Sequence, residues 1–366
     1  MKLSIQKEDL LRPLQQTVGA IERRQTLPVL AHFLLSAKNN QIAITATDLE
    51  IELFAQTAAH IEQEGDVTVP ARKLVDICRS LPDGAEIDMS ATNEKVILVS
   101  GKSRFTLSTL PVSEFPTLDD IGVANTFAIN QSQLLRAINK TAFSMAQQDV
   151  RYYLNGLLFE VTPDMLRCVA TDGHRLSLST VDVQTGVETA SQVIVPRKGV
   201  NELSRLLDTS DEPAEFQLTA NHIRINMPEV RFTSKLIDGK FPDYGRVLPE
   251  GNDKTVIADR ESLKQSLSRA AILSNEKYKG VRLQISDNTL NVRTHNPDHE
   301  EAEDELAIEY TGEAIEVGFN VVYLLDILNT LEGTSVKIRL KDANSSCLAT
   351  EIESADCKYV VMPMRL

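Results

Sequence analysis

Apolar residues recur along the chain in two alternating patterns, one typical of short strands and one typical of amphipathic helices. At Leu3, Phe127 and Val256 a strand-like segment with every second residue apolar leads into a polar stretch. In each case the first helical leucine follows seven positions later, and the helical apolar pairs are Leu10 and Leu14, Leu134 and Ile138, and Leu263 and Leu267. The pattern predicts a strand, a polar turn and a helix that buries one face, repeated three times.

A second strand-and-helix unit repeats at nearly the same spacing. VTVPARKLVDICRSL begins at Val67, VIVPRKGVNELSRLL at Val193 and IEVGFNVVYLLDIL at Ile315. The first unit recurs after 124 and 129 residues and the second after 126 and 122, each close to a third of the 366 residues. The sequence therefore predicts an α+β chain of three repeated domains with two helices each, over residues 1–125, 126–250 and 251–366.

Composition excludes several classes of protein. The four cysteines lack CxxC or metal-finger spacing, and the chain shows no signal peptide and no run of about 20 apolar residues that a membrane span needs. No phosphate-binding glycine motif occurs, and Pro297 disfavours the helix that His295 and His299 would need to hold a metal ion. We expect a cytoplasmic protein without cofactor, metal or membrane partner.

Charge is distributed unevenly between the predicted helices and the rest of the chain. The net charge is −14, yet the six helical segments (7–24, 71–81, 131–145, 197–207, 260–272 and 319–331) carry 15 basic and 7 acidic residues. They therefore sum to +8 and leave −22 for the remainder. Helices that face one direction would form a basic surface on an acidic body, which favours a polyanionic partner. The alternative is that Lys and Arg are common here because they suit helices.

The stretch TDGHRLSL, from Thr171 to Leu178, contains the residue types of a hydrolase. Asp172, His174 and Ser177 lie too close together in an extended segment to converge as a catalytic triad. The matching stretch of the first repeat, TDLEIEL, has no histidine, so the fold itself does not require one. We interpret the stretch as part of a docking pocket; an enzyme that uses these three residues and a scaffold without a DNA role remain the alternatives.

Several longer blocks of the chain resemble one family from end to end. DVRYYLNG at Asp149, TDGHRL at Thr171, FPDYGRVLP at Phe241, AILSNEKYKGVRL at Ala271 and the terminal YVVMPMRL are similar to the bacterial β sliding clamps of DNA polymerase III. The resemblance implies helices packed on antiparallel sheets in a DNA clamp fold, and a head-to-tail homodimer that forms a six-domain ring around double-stranded DNA. It also implies a processivity factor without catalytic chemistry.

The resemblance further implies three sets of site residues. DNA contacts, independent of sequence, map onto Arg24, Arg72, Gln148, Tyr152 and Tyr153, with Arg197, Lys198 and Arg205 as looser lining. We expect at most one of the two adjacent tyrosines to be buried, because neighbours on a strand face opposite ways. The dimer interface maps onto Lys102, Arg104 and Phe105 on one side, and Ile272, Leu273, Glu300, Glu301, Glu303 and Asp304 on the other.

The third set is a groove for a short Gln- and Leu-bearing peptide from the DNA polymerase III core, the clamp loader, other polymerases and repair proteins. Methionines near the carboxyl terminus suit a surface that accepts several partners. Two residues depart from the family pattern: Tyr278 replaces a common Phe, and Asn344 replaces an apolar residue. The groove residues are Leu154, Thr171, Gly173, His174, Arg175, Leu176, Pro242, Arg246, Val247, Tyr278, Asn320, Tyr323, Ser346, Val360, Val361, Met362, Pro363, Met364, Arg365 and Leu366.

Overall fold

The protein is described by a computed structural model that covers residues 1–21, 27–92, 94–118, 122 and 125–365. Within these ranges the six predicted helices are present: α1 Lys7–Thr17, α2 Ala71–Ser80, α3 Gln131–Asn139, α4 Arg197–Leu206, α5 Arg260–Ala271 and α6 Val321–Thr330. Helices α1 and α3 end well before the predicted residues 24 and 145, and a 3₁₀ turn follows each of them.

Each helix follows a strand without an intervening residue, so the predicted polar turn is wrong. Lys7, Gln131 and Arg260 are the first residues of their helices rather than turn residues. Polar side chains satisfy some of the free amides at these starts: Asp259 accepts a hydrogen bond from the Ser262 amide at 2.8 Å, and Asn320 accepts one from Val322 at 2.9 Å.

The strands carry the alternation of buried and exposed residues that the sequence predicted. QIAITAT forms one strand over its full length, with Ile42, Ile44 and Ala46 buried on one face. The strands are β1 Lys2–Gln6, β2 His32–Lys38, β3 Gln41–Thr47, β4 Ile51–Ala58, β5 His60–Gln63, β6 Gly65–Pro70, β7 Glu86–Ala91, β8 Lys95–Ser100, β9 Ser103–Ser108, β10 Asn125–Asn130, β11 Gly156–Thr162, β12 Met165–Thr171, β13 Arg175–Asp182, β14 Ser191–Pro196, β15 Pro213–Leu218, β16 His222–Asn226, β17 Val230–Lys235, β18 Lys254–Asp259, β19 Gly280–Ser286, β20 Thr289–His295, β21 Glu301–Ala307, β22 Ile315–Asn320, β23 Ser335–Leu340, β24 Cys347–Glu351 and β25 Cys357–Val361.

Among the described residues the strands form four sheets, and every strand pairing within them is antiparallel. A five-stranded sheet has the order β5-β1-β7-β8-β9, and a four-stranded sheet has the order β21-β20-β19-β22. Two eight-stranded sheets have the orders β10-β15-β16-β17-β4-β3-β2-β6 and β14-β11-β12-β13-β25-β24-β23-β18. Each large sheet therefore joins half of one repeat to half of the next.

The seam between repeats is built in the same way in both large sheets. In the first, β4 pairs with β17, with Phe232 opposite Leu53. In the second, β13 pairs with β25, with Leu176 opposite Val360. The two smaller sheets end in β9 and β21, which have no partner on their outer side in the described part of the chain.

The chain divides into two units that follow the sheets rather than the repeats. One unit comprises Met1–Gln133 and Lys198–Leu236, and the other comprises Leu134–Arg197 and Ile237–Leu366. The second contains a large apolar core in which α5 and α6 pack on their sheets through Leu267, Leu324 and Phe319. No helix among the described residues is long and apolar enough to cross a bilayer.

Candidate functional site

The Thr171–Arg175 turn connects β12 to β13 and is closed by its own side chains. The Thr171 hydroxyl donates to the Arg175 carbonyl at 2.6 Å and accepts from the Gly173 amide at 3.1 Å. Asp172 Oδ1 accepts from the amides of His174 and Arg175 at 2.9 and 3.0 Å. Gly173 has φ of +89°, a conformation that favours glycine. Thr and Asp are therefore present because they close this turn.

The same turn recurs 124 residues earlier with the same hydrogen bonds. Thr47 donates to the Ile51 carbonyl at 2.7 Å, and Asp48 Oδ1 accepts from the amides of Glu50 and Ile51. Leu49 has φ of 78° where the second copy has glycine. The first two repeats therefore share this turn down to its individual hydrogen bonds.

This geometry excludes a catalytic triad in the stretch. Both carboxylate oxygens of Asp172 are engaged, since Oδ2 accepts from Arg175 Nε at 3.1 Å. Ser177 is buried, and its Oγ lies 2.6 Å from Ser144 Oγ. The His174 ring is exposed and is not needed to close the turn. The hydrolase alternative is therefore wrong, and the imidazole is left available to a partner.

Predicted groove residues from three distant parts of the chain meet in one apolar cluster. Leu154, Leu176 and Val360 are buried together, and Val247 packs against them while partly exposed. The pairing of β13 with β25 causes this convergence, because it brings the carboxyl-terminal strand alongside the strand that follows the turn. The cluster is the apolar floor of the candidate groove.

Arg175 connects this floor to helix α6. Its Nη1 lies 2.5 Å from Asp326 Oδ2, and its Nη2 donates to the Phe143 carbonyl at 2.7 Å. Its guanidinium lies 4.5 Å from the centre of the Tyr323 ring, within cation–π range. Arg175 thus fixes Tyr323 beside the turn, and the two predicted residues form one wall.

The carboxyl-terminal tail is tied by its backbone to the Thr171–Arg175 turn and to β22. The Met362 amide donates to the His174 carbonyl at 2.9 Å, and the Met364 amide donates to the Gly318 carbonyl at 2.8 Å. Val361 is fully buried, whereas 38% of Met362 is exposed. The tail is therefore fixed by its backbone while its thioether side chains remain partly accessible. Leu366, also predicted here, lies outside the described residues.

The remaining predicted groove residues differ in exposure. Tyr278 is 54% exposed, and Arg246 pairs with Asp243 at 3.0 Å while largely exposed. Asn320 caps α6, and the Ser346 carbonyl accepts from Asn252 at 3.0 Å. Pro242, Pro363, Arg365 and Asn344 are exposed or half-buried.

Some residues that support the candidate groove were not predicted from the sequence. Phe241 and Leu348 are buried in the apolar cluster, and Asp326 fixes Arg175. Tyr244 donates to Glu160 and accepts from Arg167 Nη1 at 2.9 Å. Phe241 and Tyr244 belong to the FPDYGRVLP block, so the family resemblance of that block could have indicated them. Nothing local to Glu160, Arg167 or Asp326 marks the role of these residues.

The predicted DNA-contact residues differ in how much of each side chain is free. Arg72 at the start of α2 and Gln148 are exposed, and Tyr152 is 56% exposed. Tyr153 is half-buried against the apolar cluster. The tyrosines lie in a 3₁₀ turn, Tyr152–Leu154, so the expected strand at this point is wrong. Arg24 lies outside the described residues.

The three looser lining residues are engaged within the chain. Arg197 donates to the Met145 carbonyl at 2.8 Å, and Lys198 pairs with Asp48. Arg205 donates to the Gln15 and Gln16 carbonyls and pairs with Glu202 at 2.7 Å. A phosphate would have to compete with these partners for each cation.

Two of the basic residues counted on the helices are buried, which corrects the helical charge of +8. Lys7 donates to the Leu81 carbonyl at 2.7 Å, and Lys140 donates to the Thr330 carbonyl at 2.6 Å and lies 3.1 Å from Glu332. Both are less than a tenth exposed. Buried cations must be paired to offset their desolvation, so these two support the fold and do not attract a polyanion.

The predicted dimer residues lie on or next to β9 and β21 and just after helix α5. Lys102 and Arg104 are exposed at the start of β9, and Ile272 is 79% exposed just after α5. Two acidic residues of β21 already form ion pairs within the chain. Glu303 pairs with Arg293 at 2.6 Å, and Asp304 pairs with Arg269 at 2.5 Å. Phe105 and Leu273 are half-buried, and Glu300 and Glu301 are exposed.

Comparison with known proteins gives one consistent result over the whole chain. Three family models match in succession: the N-terminal, central and C-terminal domains of the DNA polymerase III beta subunit, over residues 1–119, 128–243 and 245–365. The chain is 52% identical to a Pseudomonas aeruginosa protein and 49% identical to an Escherichia coli protein, both called beta sliding clamp, with full coverage of each.

Solved structures agree with this. The crystal structure of the DNA polymerase III subunit beta from Pseudomonas aeruginosa matches with a TM-score of 0.98, at 51% identity and full coverage of both chains. A structure of the clamp from the same organism, bound to griselimycin, matches over both full lengths with a TM-score of 0.97 at 52% identity.

Proposed function

The chain belongs to the DNA polymerase III beta subunit family, the bacterial sliding clamps, and we propose that two copies close head to tail into a six-domain ring around duplex DNA. The protein is a processivity factor: it holds a polymerase on its template and catalyses no reaction itself. It acts in the cytoplasm, on the chromosome, and the three domains span residues 1–125, 126–250 and 251–366.

The observation that supports the ring is the repeated seam, because β9 and β21 are sheet edges in the described part of the chain while their counterparts in the other repeats are paired. The seam from the first repeat to the second joins β4 to β17, and the seam from the second to the third joins β13 to β25. By position in the repeat, the next seam would join β21 to β9. Both strands are sheet edges, and an exposed edge is a template for pairing with another chain. Pairing β21 of one copy with β9 of another produces a closing, head-to-tail contact.

Charge and apolar area favour the same pairing. Lys102 and Arg104 would face the acidic residues Glu300, Glu301, Glu303 and Asp304 across the seam. Ile272, Leu273 and Phe105 would form its apolar centre, and burying side chains such as Ile272 contributes about 1.5–3 kcal/mol each.

A ring retains DNA by enclosing it, so its contacts with DNA need only be weak. We assign these contacts first to Arg72, Gln148 and Tyr152, which are exposed, and to Arg24. Tyr153, Arg197, Lys198 and Arg205 make the secondary contacts, because their side chains are also engaged within the chain. Such contacts reach phosphates rather than base edges, which lets the ring slide on any sequence.

The groove over the apolar cluster binds short Gln- and Leu-bearing peptides of the DNA polymerase III core, the clamp loader, other polymerases and repair proteins. Its floor is apolar, its wall is the Arg175–Tyr323 contact, and the exposed His174 ring and Met362 thioether adjoin it. A clamp from Pseudomonas aeruginosa binds griselimycin, which is consistent with a ligand pocket in this family.

The ring is tested by mass and by topology. Light scattering should give twice the chain mass of 40.6 kDa, and alanine at both Ile272 and Leu273 should give 40.6 kDa. Protein loaded on closed circular DNA should stay bound in salt that removes it from linear DNA. A native protein that is monomeric at micromolar concentration, or that leaves both DNAs equally, would contradict the ring.

The groove is tested separately by fluorescence anisotropy with a labelled Gln- and Leu-bearing peptide. His174→Ala should weaken binding by about tenfold because a directly contacting polar side chain is lost, whereas the exposed control His60→Ala, on β5, should bind as the native protein does. Equal affinities for the native protein and His174→Ala would argue against this groove.

A further inference from the structure

A second concave surface begins where the proposed peptide groove ends. It is a cleft of about 340 Å³ in the third repeat, between the start of β19, the end of β20 and the carboxyl-terminal tail. Tyr278, Met364 and Arg365, all predicted groove residues, also line this cleft. A peptide that lies in the groove can therefore continue into the cleft without leaving the protein surface.

The walls of the cleft are held by local hydrogen bonds. Asn275 Oδ1 accepts from the amides of Lys277 and Tyr278 at 2.9 and 3.0 Å, which fixes the loop that carries the Tyr278 ring. Asn296 Oδ1 accepts from the amides of Asp298 and Glu300, both at 3.0 Å, which fixes the turn after β20. The cleft is thus formed before any partner arrives.

The cleft is cationic in an otherwise acidic protein. Arg282, Arg293 and Arg365 line it, and none of the described residues that line it is acidic. Lys277 lies just outside, with its ammonium 5.2 Å from the centre of the Tyr278 ring. Glu316 and Glu303 pair with two of these arginines from outside the lining, so the surface of the cleft itself presents guanidinium groups in a chain that carries −14. Such a surface favours an anionic group.

Two of these arginines make ion pairs that a partner could exchange. Arg282 lies 2.8 Å from Glu316, and Arg293 lies 2.6 Å from Glu303. All four side chains are more than a third exposed, and exposed pairs contribute little stability. A guanidinium can therefore turn toward an incoming carboxylate at small cost.

We propose that this cleft binds acidic residues that flank the groove-binding motif of a partner protein, so that it ranks partners by their flanking charge. The inference rests on the proposed peptide groove and extends it. Apolar contact from Tyr278 and Met364 suits a polypeptide, whose side chains alternate along its length. Continuity with the peptide groove through Tyr278, Met364 and Arg365 favours a polypeptide over a nucleic acid.

The test measures anisotropy of labelled peptides. A Gln- and Leu-bearing core peptide is compared with versions extended by three glutamates at the amino end or at the carboxyl end, and with the matching serine extensions. One of the two acidic extensions should bind about fivefold more tightly than its serine counterpart, a gain that should shrink as salt is raised.

Variants test whether this increase in peptide affinity comes from the cleft. Arg282→Ala and Arg293→Ala should each remove about half of it and leave the affinity of the core peptide unchanged. Lys95→Ala, which removes one exposed positive charge from the first repeat, should retain the full gain. Light scattering on Arg293→Ala checks that the loss of its Glu303 pair does not alter the dimer.

The possible failures are distinguishable. Suppose that the core peptide binds normally. If neither acidic extension then increases the affinity, or if the increase persists in the Arg282→Ala/Arg293→Ala double variant, the inference is overturned and the groove stands. A single-stranded oligonucleotide that alone depends on these arginines would make the cleft a nucleic-acid site, and would also overturn it. Core peptide that fails to bind at all would overturn the groove and this inference together.

Discussion

The Thr-Asp turn shows how the same two residue types close the chain in the same way in two repeats. In both copies the threonine and aspartate close the turn, but position three is Leu49 in the first and Gly173 in the second. Gly173 lies against Arg151, whose Nη2 donates to the Asp172 carbonyl at 3.1 Å. A Cβ at position 173 would lie 2.9 Å from that guanidinium, which would have to shift and so disturb its hydrogen bond to Asp172.

Alanine at three glycines separates backbone strain from steric overlap. Gly173 has φ of +89°, and a Cβ added there would lie 2.9 Å from Arg151 Nη1. Gly84 has φ of +70°, but a Cβ added there would meet no other atom within 4 Å. Gly333 has neither a positive φ nor a close neighbour. We expect Gly173→Ala to lower the free energy of unfolding by about 2 kcal/mol, Gly84→Ala by about 1 kcal/mol, and Gly333→Ala not at all. Chemical denaturation checks the order, and equal effects at 173 and 84 would mean that Arg151 moves freely.

The cysteines give a second prediction at this scale. All four are buried, and burial raises the pKa of the Cys78 and Cys347 thiols to about 12 and raises that of Cys168 further. At pH 8 a thiol with such a pKa is about one part in 10⁴ thiolate, and thiolate is the reactive form. Ellman's reagent should therefore leave the native protein unlabelled at pH 8 and label four thiols in denaturant. Rapid labelling of a native thiol would show that its strand opens locally.

At the scale of elements, the segment Phe241–Leu248 packs against the apolar cluster, and Tyr244 also ties it to β11 and β12. The Tyr244 hydroxyl lies between Glu160 and Arg167, which also pair with each other at 3.1 Å. Burial raises the pKa of Tyr244, and its hydrogen bond to Glu160 adds to this, so the phenol stays protonated and continues to donate near neutral pH. The segment therefore keeps Pro242 and Val247 at the groove.

Tyr244→Phe should weaken peptide binding by about three- to tenfold, because it removes hydrogen bonds to charged groups that contribute about 1.5–3 kcal/mol. Tyr310→Phe is the matched control: its hydroxyl donates to the Glu313 carbonyl at 2.6 Å, away from the groove residues. Anisotropy measures the peptide affinity and thermal unfolding measures stability. Equal peptide affinities for the two variants would mean that Tyr244 does not position the groove.

The elements also show where prediction from sequence succeeds. Helical spacing such as Leu263 to Leu267 located all six helices, because a period of 3.6 residues is a local property. Long-range pairing is not local: nothing in Phe232 or Leu53 marks them as partners across a seam, so the eight-stranded sheets were not predicted. Lys140 was counted as a surface charge for the same reason, since its burial depends on residues some 190 positions away.

The candidate site shows the same difference between what is local in the sequence and what depends on long-range contacts. His174, Leu176 and Val360 were assigned to the groove through the family resemblance, and the structure brings the latter two into one cluster. Asp326 and Glu160 act at a distance through Arg175 and Tyr244, and no motif records such indirect contacts. The 3₁₀ turn at Tyr152 was missed because strand alternation was assumed where the chain is not extended.

For the whole molecule, the proposed seam between copies differs from the two internal seams in one respect: no peptide bond crosses it. Its strength must then come from edge pairing, apolar contact and charge. Reversing Lys102 and Arg104 to glutamate should weaken the dimer about tenfold or more, since each seam would lose two favourable pairs worth up to about 1 kcal/mol each and gain repulsion.

A compensating reversal makes this prediction specific. Adding lysine at Glu300 and Glu301 to the same chain should restore the dimer, because each copy would contribute both reversed edges. Sedimentation velocity across a dilution series measures the dissociation constant. Reversal that has no effect alone, or that is not restored by the second pair, would mean that β9 and β21 do not meet.

The sheet order has one more consequence, for stoichiometry. Every seam, within a chain or between chains, would join the fourth strand of one module to the last strand of another. Such a joint does not depend on how many modules share a polypeptide. A ring of six modules could therefore be built from any number of chains, provided that the modules per chain multiplied by the number of chains equals six. A gene that encoded only two of these modules would need a trimer to enclose the same duplex.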